Sequence, residues 1–276
     1  MKTVFAKKYV FSIGMCSYLF LFGFIFPRNR LLISQICSHF GFTPPKKIVP
    51  RFGKVDLAFL IGGRDEPIRL EELTHVDGNV SVLELVAIAT LVRRYEPENI
   101  FEIGTFDGRT TLNLALNSSE SARVFTLDLP KSEAANAQWA ISSQDMTYVN
   151  KDSSGMRFRN TDLERKINLL YGDSAVFDFM PYQNKIDFVF IDGAHSYEYV
   201  LNDTRAALKM LRNGTGVILW HDCVPDTPVV TALNELHAAH PELQNMRVIE
   251  GTTLACCVSC PTPDGAPAHI ASARDK

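Results

Sequence analysis

Nowhere in the 276 residues do Lys and Arg cluster with interleaved aromatics, and the net charge is only -3. That absence excludes the basic stripe a nucleic-acid partner would need, so a small molecule is the expected partner. Cysteine is scarce: six residues, at Cys16, Cys37, Cys223, Cys256, Cys257 and Cys260, too sparse for a disulfide-stapled secreted scaffold. Cys257 and Cys260 form a C-x-x-C inside an apolar run, not at the head of a helix. They read as small buried hydrophobes rather than as a redox or metal pair. No internal repeat is present. Apolar residues make up 46% of the chain against 21% charged, which suffices for a packed core and excludes wholesale disorder.

Residues 10–26 contain no charge and are dominated by Phe, Leu and Ile, with Lys2, Lys7 and Lys8 before them and Pro27, Arg28 and Arg30 after. As a continuous helix the run would just reach the ~30 Å of a bilayer core. No small-x-small cleavage site follows it, and the flanking charges suit a membrane better than a buried core helix. The expected organisation is a single-pass membrane anchor over 1–27 and a linker and lead-in over 28–76, broken by Pro44-Pro45, Pro50 and Gly62-Gly63. The main domain then runs over 77–260, and a Pro-, Ala- and charge-rich disordered tail over 261–276.

Within the domain, Ser81-x-x-Glu84 is a capping box ahead of Val82, Leu85, Val86, Ala89 and Val92 at helical spacing. Strands are predicted at 99–104, 123–128, 167–171, 186–192 and 216–220, with helices at 109–117, 197–211 and 229–239 between them. One or two closing strands are predicted in 247–258. A polar stretch over 129–166 interrupts this rhythm and is expected to hold one helix and a lid. Nearly all-apolar strands alternating with helices predict an α/β, Rossmann-like, doubly wound and mostly parallel sheet, preceded by an N-terminal hydrophobic helix.

Ligands of such sheets gather beyond the carboxyl ends of the strands. At the first end stands Phe101-Glu102-Ile103-Gly104-Thr105-Phe106-Asp107-Gly108, with Thr110 and Thr111 opening the next helix. Glycines let the backbone turn tightly there, and a helix amino terminus favours an anionic group. The spacing does not supply the third glycine of G-x-G-x-x-G; a plain strand-to-helix turn is the alternative. Asp128 ends the second strand, about twenty residues on, where an acid can accept from ribose hydroxyls. Asp173 and Ser174 follow the third; Asp173 could meet an adenine amino group, cap a helix, or do both. The fourth strand ends in Ile191-Asp192-Gly193-Ala194-His195 and the fifth in Trp220-His221-Asp222. Two carboxylates with an imidazole can hold a divalent cation, and a second imidazole can act as a general base. Loop polars and helix caps are the alternative reading.

From Gly78 to Val258 the chain resembles the class I S-adenosylmethionine-dependent methyltransferases, and within them the macrolide-sugar and cephalosporin-type O-methyltransferase branch. The likeness is carried by F-E-I-G-T-F-D-G-R-T-T, D-G-A-H-S-Y-E-Y-V-L-N-D and G-V-I-L-W-H-D. It implies S-adenosylmethionine held by Glu102, Gly104, Thr105, Phe106, Gly108, Thr110, Asp128, Asp173 and Ser174. It also implies a metal, Mg²⁺ or Mn²⁺, on Asp192, His221 and Asp222, with His195 deprotonating an acceptor hydroxyl. The branch carries two consecutive acids where this chain has His221-Asp222, and an imidazole suits Mn²⁺, Fe²⁺ or Zn²⁺ better than Mg²⁺, so the ion stays open. A sugar or other small hydroxylated acceptor is implied, and homo-oligomerisation is left open. Because S-adenosylmethionine is made in the cytosol, an anchored domain is expected to face the cytoplasm. The alternatives are a nicotinamide-dependent oxidoreductase on the same fold and an inactive, membrane-tethered binding module.

Overall fold

The computed structural model describes residues 2–40, 47–63, 67–74 and 76–259; the tail predicted over 261–276 lies outside the described residues, as does Cys260. The chain divides into two compact units, Met1–Lys47 and Ile48–Lys276.

The first unit is a pair of helices, α1 (Lys2–Leu21) and α2 (Pro27–His39), joined by a single 3-10 turn at Gly23–Ile25. The turn is closed by Phe26 N–H donating to Gly23 C=O at 3.1 Å, and Pro27 opens α2 with its preset φ. The apolar run is therefore split. Only residues 10–21 of it lie on α1, about 18 Å of helix at 1.5 Å per residue, well short of a bilayer core. Among the described residues no helix is long and apolar enough to cross a membrane. The expectation of a single-pass membrane anchor over 1–27, with a cytoplasm-facing domain and a membrane partner, is overturned on this ground.

The second unit is built on β1 (Lys54–Val55), α3 (Leu57–Leu60), α4 (Val82–Tyr95), β2 (Asn99–Ile103), α5 (Arg109–Asn117), β3 (Arg123–Asp128), α6 (Ser143–Val149) and β4 (Ile167–Tyr171). It continues through β5 (Phe188–Ile191), α7 (Tyr197–Met210), β6 (Val217–Trp220), α8 (Pro228–Ala239), β7 (Arg247–Ile249) and β8 (Ala255–Val258). The strands form one sheet in the order β1-β7-β8-β6-β5-β2-β3-β4. All neighbours are parallel except β8, which runs antiparallel to both β6 and β7. Residues 54–55, within the stretch read as lead-in, pair with β7 and extend the sheet edge.

Why the strands read as continuous apolar runs is plain in β5: Val189 and Ile191 face the core under α7 and α8, while Phe188 and Phe190 face the core under α4 and α5. Both faces are covered, so alternation of apolar and polar residues would leave polar groups buried. The α4 capping box forms as the sequence predicts, with Ser81 and Glu84 each accepting from the other's backbone N–H. The C-x-x-C region behaves as small buried hydrophobes should: Cys256 and Cys257 lie in β8 at no more than 3% exposure, and burial pushes the Cys257 thiol up to about 12.

From β2 the chain moves outward to β3 and β4, then returns to place β5 on the opposite side of β2. The crevice between the β2 and β5 ends is thus the switch point of the sheet. Gly104 makes that crevice narrow. It sits at φ +98°, and a Cβ there would stand 2.0 Å from the Asp192 carbonyl oxygen. The close approach this glycine permits is of one strand end to the other. Gly104→Ala is expected to destabilise the fold by roughly 3 kcal/mol or more, combining left-handed strain with a backbone clash. Urea denaturation monitored by tryptophan fluorescence checks this, and a loss under ~1 kcal/mol would contradict it.

Candidate active site

The ends of β2 to β6 enclose a cavity of about 330 Å³, in the range of small-molecule sites. Its walls include Gly104, Thr105, Phe106, Thr110, Asp128, Asp173, Ser174, Asp192, His195, His221 and Asp222. Two predicted cofactor residues are not on its wall. Glu102 is fully buried beneath it, accepting from the Thr111 and Thr126 hydroxyls, and Gly108 packs against Gly155 and Phe158.

The polar stretch after β3 folds back over this rim and ties itself to the segments that end or follow β2, β3, β4 and β5. Gly155 N–H donates to the Phe106 carbonyl at 3.0 Å, and Arg157 Nε lies 2.6 Å from Asp107 Oδ2, both at the glycine turn. Lys151 Nζ is 2.7 Å from Asp128 Oδ2, which also accepts from the Ser154 hydroxyl. Asp128 Oδ1 takes the Thr105 and Phe106 N–H groups at 3.3 Å each, so both oxygens are engaged. Asp173 receives Ala175 N–H on Oδ1 and Gln138 N–H, from the same stretch, on Oδ2. Asp145, on α6, reaches His195.

At the β5 and β6 ends the imidazoles and carboxylates form one connected chain. His195 Nδ1 lies 2.6 Å from Asp145 Oδ1, and its Nε2 is 2.7 Å from Asp222 Oδ2. His221 Nδ1 stands 3.0 Å from Asp192 Oδ1 and 3.2 Å from Asp222 Oδ2, while its Nε2 faces Glu84 Oε2 at 3.4 Å. Burial disfavours charge on His195, but its bonds to Asp145 and Asp222 outweigh that and hold its pKa up to about 10. His221 is likewise driven upward: burial opposes its charge, and Asp192, Asp222 and Glu84 overcome the opposition. Burial raises and the two histidines more strongly lower the Asp222 carboxyl, with a net downward shift. One ligand atom each from Asp192, His221 and Asp222 falls within 4.8 Å of the others, a spacing a single cation can bridge.

Beside the rim, Asp203 on α7 is a buried carboxyl that accepts from Asn202 Nδ2 at 3.1 Å, and burial raises its pKa to about 7. Sequence reasoning passed over Asp145, Lys151 and Ser154, and read Glu84 only as a cap. Ser142-x-x-Asp145 follows the same start-of-helix grammar as Ser81-x-x-Glu84, and the Ser142 hydroxyl does accept Asp145 N–H at 3.0 Å. That signal could have placed a helix. Nothing local could say that its acid meets His195, fifty residues along the chain.

Comparison with known proteins bears on this arrangement. A family described as "Methyltransferase domain" matches residues 101–223, which span β2 through the β6 end and so contain both the glycine turn and the imidazole–carboxylate rim. No curated protein matches the chain. Among solved structures, an O-methyltransferase of Streptomyces achromogenes involved in tomaymycin synthesis, in complex with SAM, is 18% identical, with a TM-score of 0.46 over 67% of this chain and 83% of its own. An O-methyltransferase of Bacillus cereus in complex with SAH is 21% identical, with a TM-score of 0.44 over 83% of this chain and 97% of its own. A SAH-bound methyltransferase of Podospora anserina is 17% identical, with a TM-score of 0.45 over 67% of this chain and 81% of its own. The domain match speaks for methyl transfer over the nicotinamide-dependent alternative. Residues 101–223 therefore resemble a methyltransferase domain.

Proposed function

We propose that the chain methylates a hydroxyl of a small molecule or sugar, assisted by a divalent cation on Asp192, His221 and Asp222. The observation that carries this reading is the placement of those three side chains and His195 on the wall of the same cavity as Asp128, Asp173 and the glycine turn. The donor set fits a cation: one imidazole nitrogen, His221 Nδ1, has two carboxylate oxygens at 3.0 and 3.2 Å. A divalent ion bound there would supply Lewis-acid polarisation of the acceptor hydroxyl and offset the charge of Asp222.

The chain's own residues divide the remaining work. His195 accepts the acceptor's proton at Nε2, and Asp145 holds Nδ1 so that Nε2 faces the cavity. Asp145 and Asp222 together raise its pKa, and a cation held by Asp222 would remove part of that rise and let the ring act as a base. The turn at Gly104 to Phe106 with Thr110, Asp173 and Ser174 receives S-adenosylmethionine, which supplies the activated methyl group. Asp128 takes the ribose hydroxyls, which replace Lys151 and Ser154 as its donors. Holding both reactants against one rim turns a bimolecular transfer into a near-unimolecular one.

Asp128→Asn is therefore expected to raise the KM for S-adenosylmethionine by about 10–100-fold, the cost of losing hydrogen bonds to a charged acceptor. An unchanged KM in steady-state assays would remove Asp128 from the cofactor site. The function itself is tested by screening transfer of labelled methyl groups from S-adenosylmethionine into fractionated cell extract and a panel of hydroxylated acceptors, with and without chelator. Transfer to oxygen that chelator abolishes supports the reading. Transfer only to nitrogen or carbon, or indifference to chelator, overturns the corresponding part of it.

A further inference from the structure

His221 stands where the resembled branch carries an acid, and it has a buried partner on a distant element. Glu84, in the first turn of α4, is 4% exposed. Its Oε1 accepts from both the N–H and the hydroxyl of Thr253, at 2.8 and 2.7 Å, across from the turn between β7 and β8. Its Oε2 accepts Ser81 N–H at 2.7 Å and faces His221 Nε2 at 3.4 Å. Three donors thus fix the carboxylate's orientation, leaving its remaining acceptor capacity toward the imidazole. A capping box explains the Ser81 bond; it does not explain the burial, the Thr253 pair or the approach to His221.

A ligating imidazole must offer a lone pair on one nitrogen and keep its proton on the other, and an acceptor beside the second nitrogen sets which is which. Here the choice is contested. With Asp192 Oδ1 and Asp222 Oδ2 at 3.0 and 3.2 Å from Nδ1, a proton on Nδ1 would bind those carboxylates and close the centre. An acceptor on the Nε2 side gives the proton another place when a cation takes the Nδ1 side.

We propose that Glu84 is the positioning residue of the metal centre, holding the His221 proton on Nε2 so that Nδ1 presents its lone pair between Asp192 and Asp222, and that the resulting nitrogen–oxygen set prefers Mn²⁺ or Zn²⁺ to Mg²⁺. The inference rests on the metal reading given above and goes beyond it in naming the outer partner and the ion class. Magnesium favours an all-oxygen shell, whereas an imidazole ligand suits the transition ions.

The test is direct binding, not turnover. Purified full-length protein is titrated with MnCl2 and with MgCl2 by calorimetry, with Mn²⁺ binding also followed by EPR. Wild type is expected to bind Mn²⁺ at least ~10-fold more tightly than Mg²⁺. Glu84→Gln is expected to weaken Mn²⁺ binding by about 10–100-fold and to shrink that preference. Ser81→Ala, which breaks the cap without touching the imidazole, is expected to lower Tm while leaving Mn²⁺ affinity unchanged. Histidine ¹⁵N spectra of the Zn²⁺-loaded wild type give a readout that needs no variant to fold: a protonated Nε2 and a metal-bound Nδ1 on His221 support the inference, and the reverse overturns it. Equal Mn²⁺ affinity in folded Glu84→Gln and wild type overturns the role of Glu84 while the metal reading stands. Absence of any divalent binding by wild type sinks both.

Discussion

Asp192→Asn is expected to abolish methyl transfer while leaving S-adenosylmethionine binding nearly unchanged. The substitution keeps the shape of the side chain and the backbone carbonyl that packs on Gly104, so the switch-point crevice is preserved. What it removes is one of two carboxylates around His221 Nδ1. An amide is a poor ligand for a cation and offsets none of its charge, and Lewis-acid activation is worth several kcal/mol at the transition state. At 1.36 kcal/mol per tenfold, the expected fall in kcat is about 10³-fold or more. Cofactor binding, measured separately by calorimetry, is proposed above to use the ends of β2, β3 and β4 and should be retained. Substantial turnover by the variant, or an equal loss of cofactor binding, would show that Asp192 serves some other purpose.

The second large effect concerns stability against pH. Glu102 is fully buried at the end of β2, with the Thr111 and Thr126 hydroxyls on Oε2 and no partner for Oε1 among the described residues. Burial pushes its carboxyl up to about 8 against the help of those two hydroxyls, and the nearby Asp192 and Asp128 charges add to the rise. A carboxyl whose folded pKa lies above its unfolded value stabilises the fold fully below the unfolded pKa, near 4.5, and loses that contribution as pH climbs through 8. The difference amounts to on the order of 5 kcal/mol, or ~15 °C in Tm for a domain of this size. Asp203, with its carboxyl raised to about 7, acts in the same direction over a slightly lower window. Glu102→Gln cannot ionise, so thermal melts should show it gaining on wild type from pH 5 to about pH 8 and holding that gain above it. A constant offset between the two across that range would mean that the buried proton is not on Glu102.

Much of the architecture was legible in the chain because the signals are local. The boundaries predicted for the helix at 109–117 and the strands at 123–128 and 167–171 coincide with α5, β3 and β4. In a parallel sheet every carboxyl end lies on the same rim, so knowing where each strand stops is enough to gather Asp128, Asp173, Asp192, His195, His221 and Asp222 around one cavity. Hydropathy misled at the N-terminus because it sums composition over residues 10–26 without asking whether the backbone stays helical. The 3-10 turn at Gly23–Ile25 interrupts the helix inside that window.

The glycine turn shows where the two kinds of information part. By itself the sequence determined that a tight, left-handed turn follows β2, since Gly104 and Gly108 are residues that adopt positive φ without strain. It determined the strand-end chemistry too, because residue type and strand period are both written along the chain. Only the tertiary structure decided what those residues touch. Gly104 makes room for the Asp192 backbone, Lys151 and Ser154 close on Asp128, Asp145 holds His195, and Glu84 reaches His221 from α4. The antiparallel course of β8 and the edge pairing of β1 belong with these. Each is a contact between segments far apart in sequence, and its energy comes from burial and from hydrogen bonds that exist only once the sheet has formed. No periodicity within a single segment encodes it.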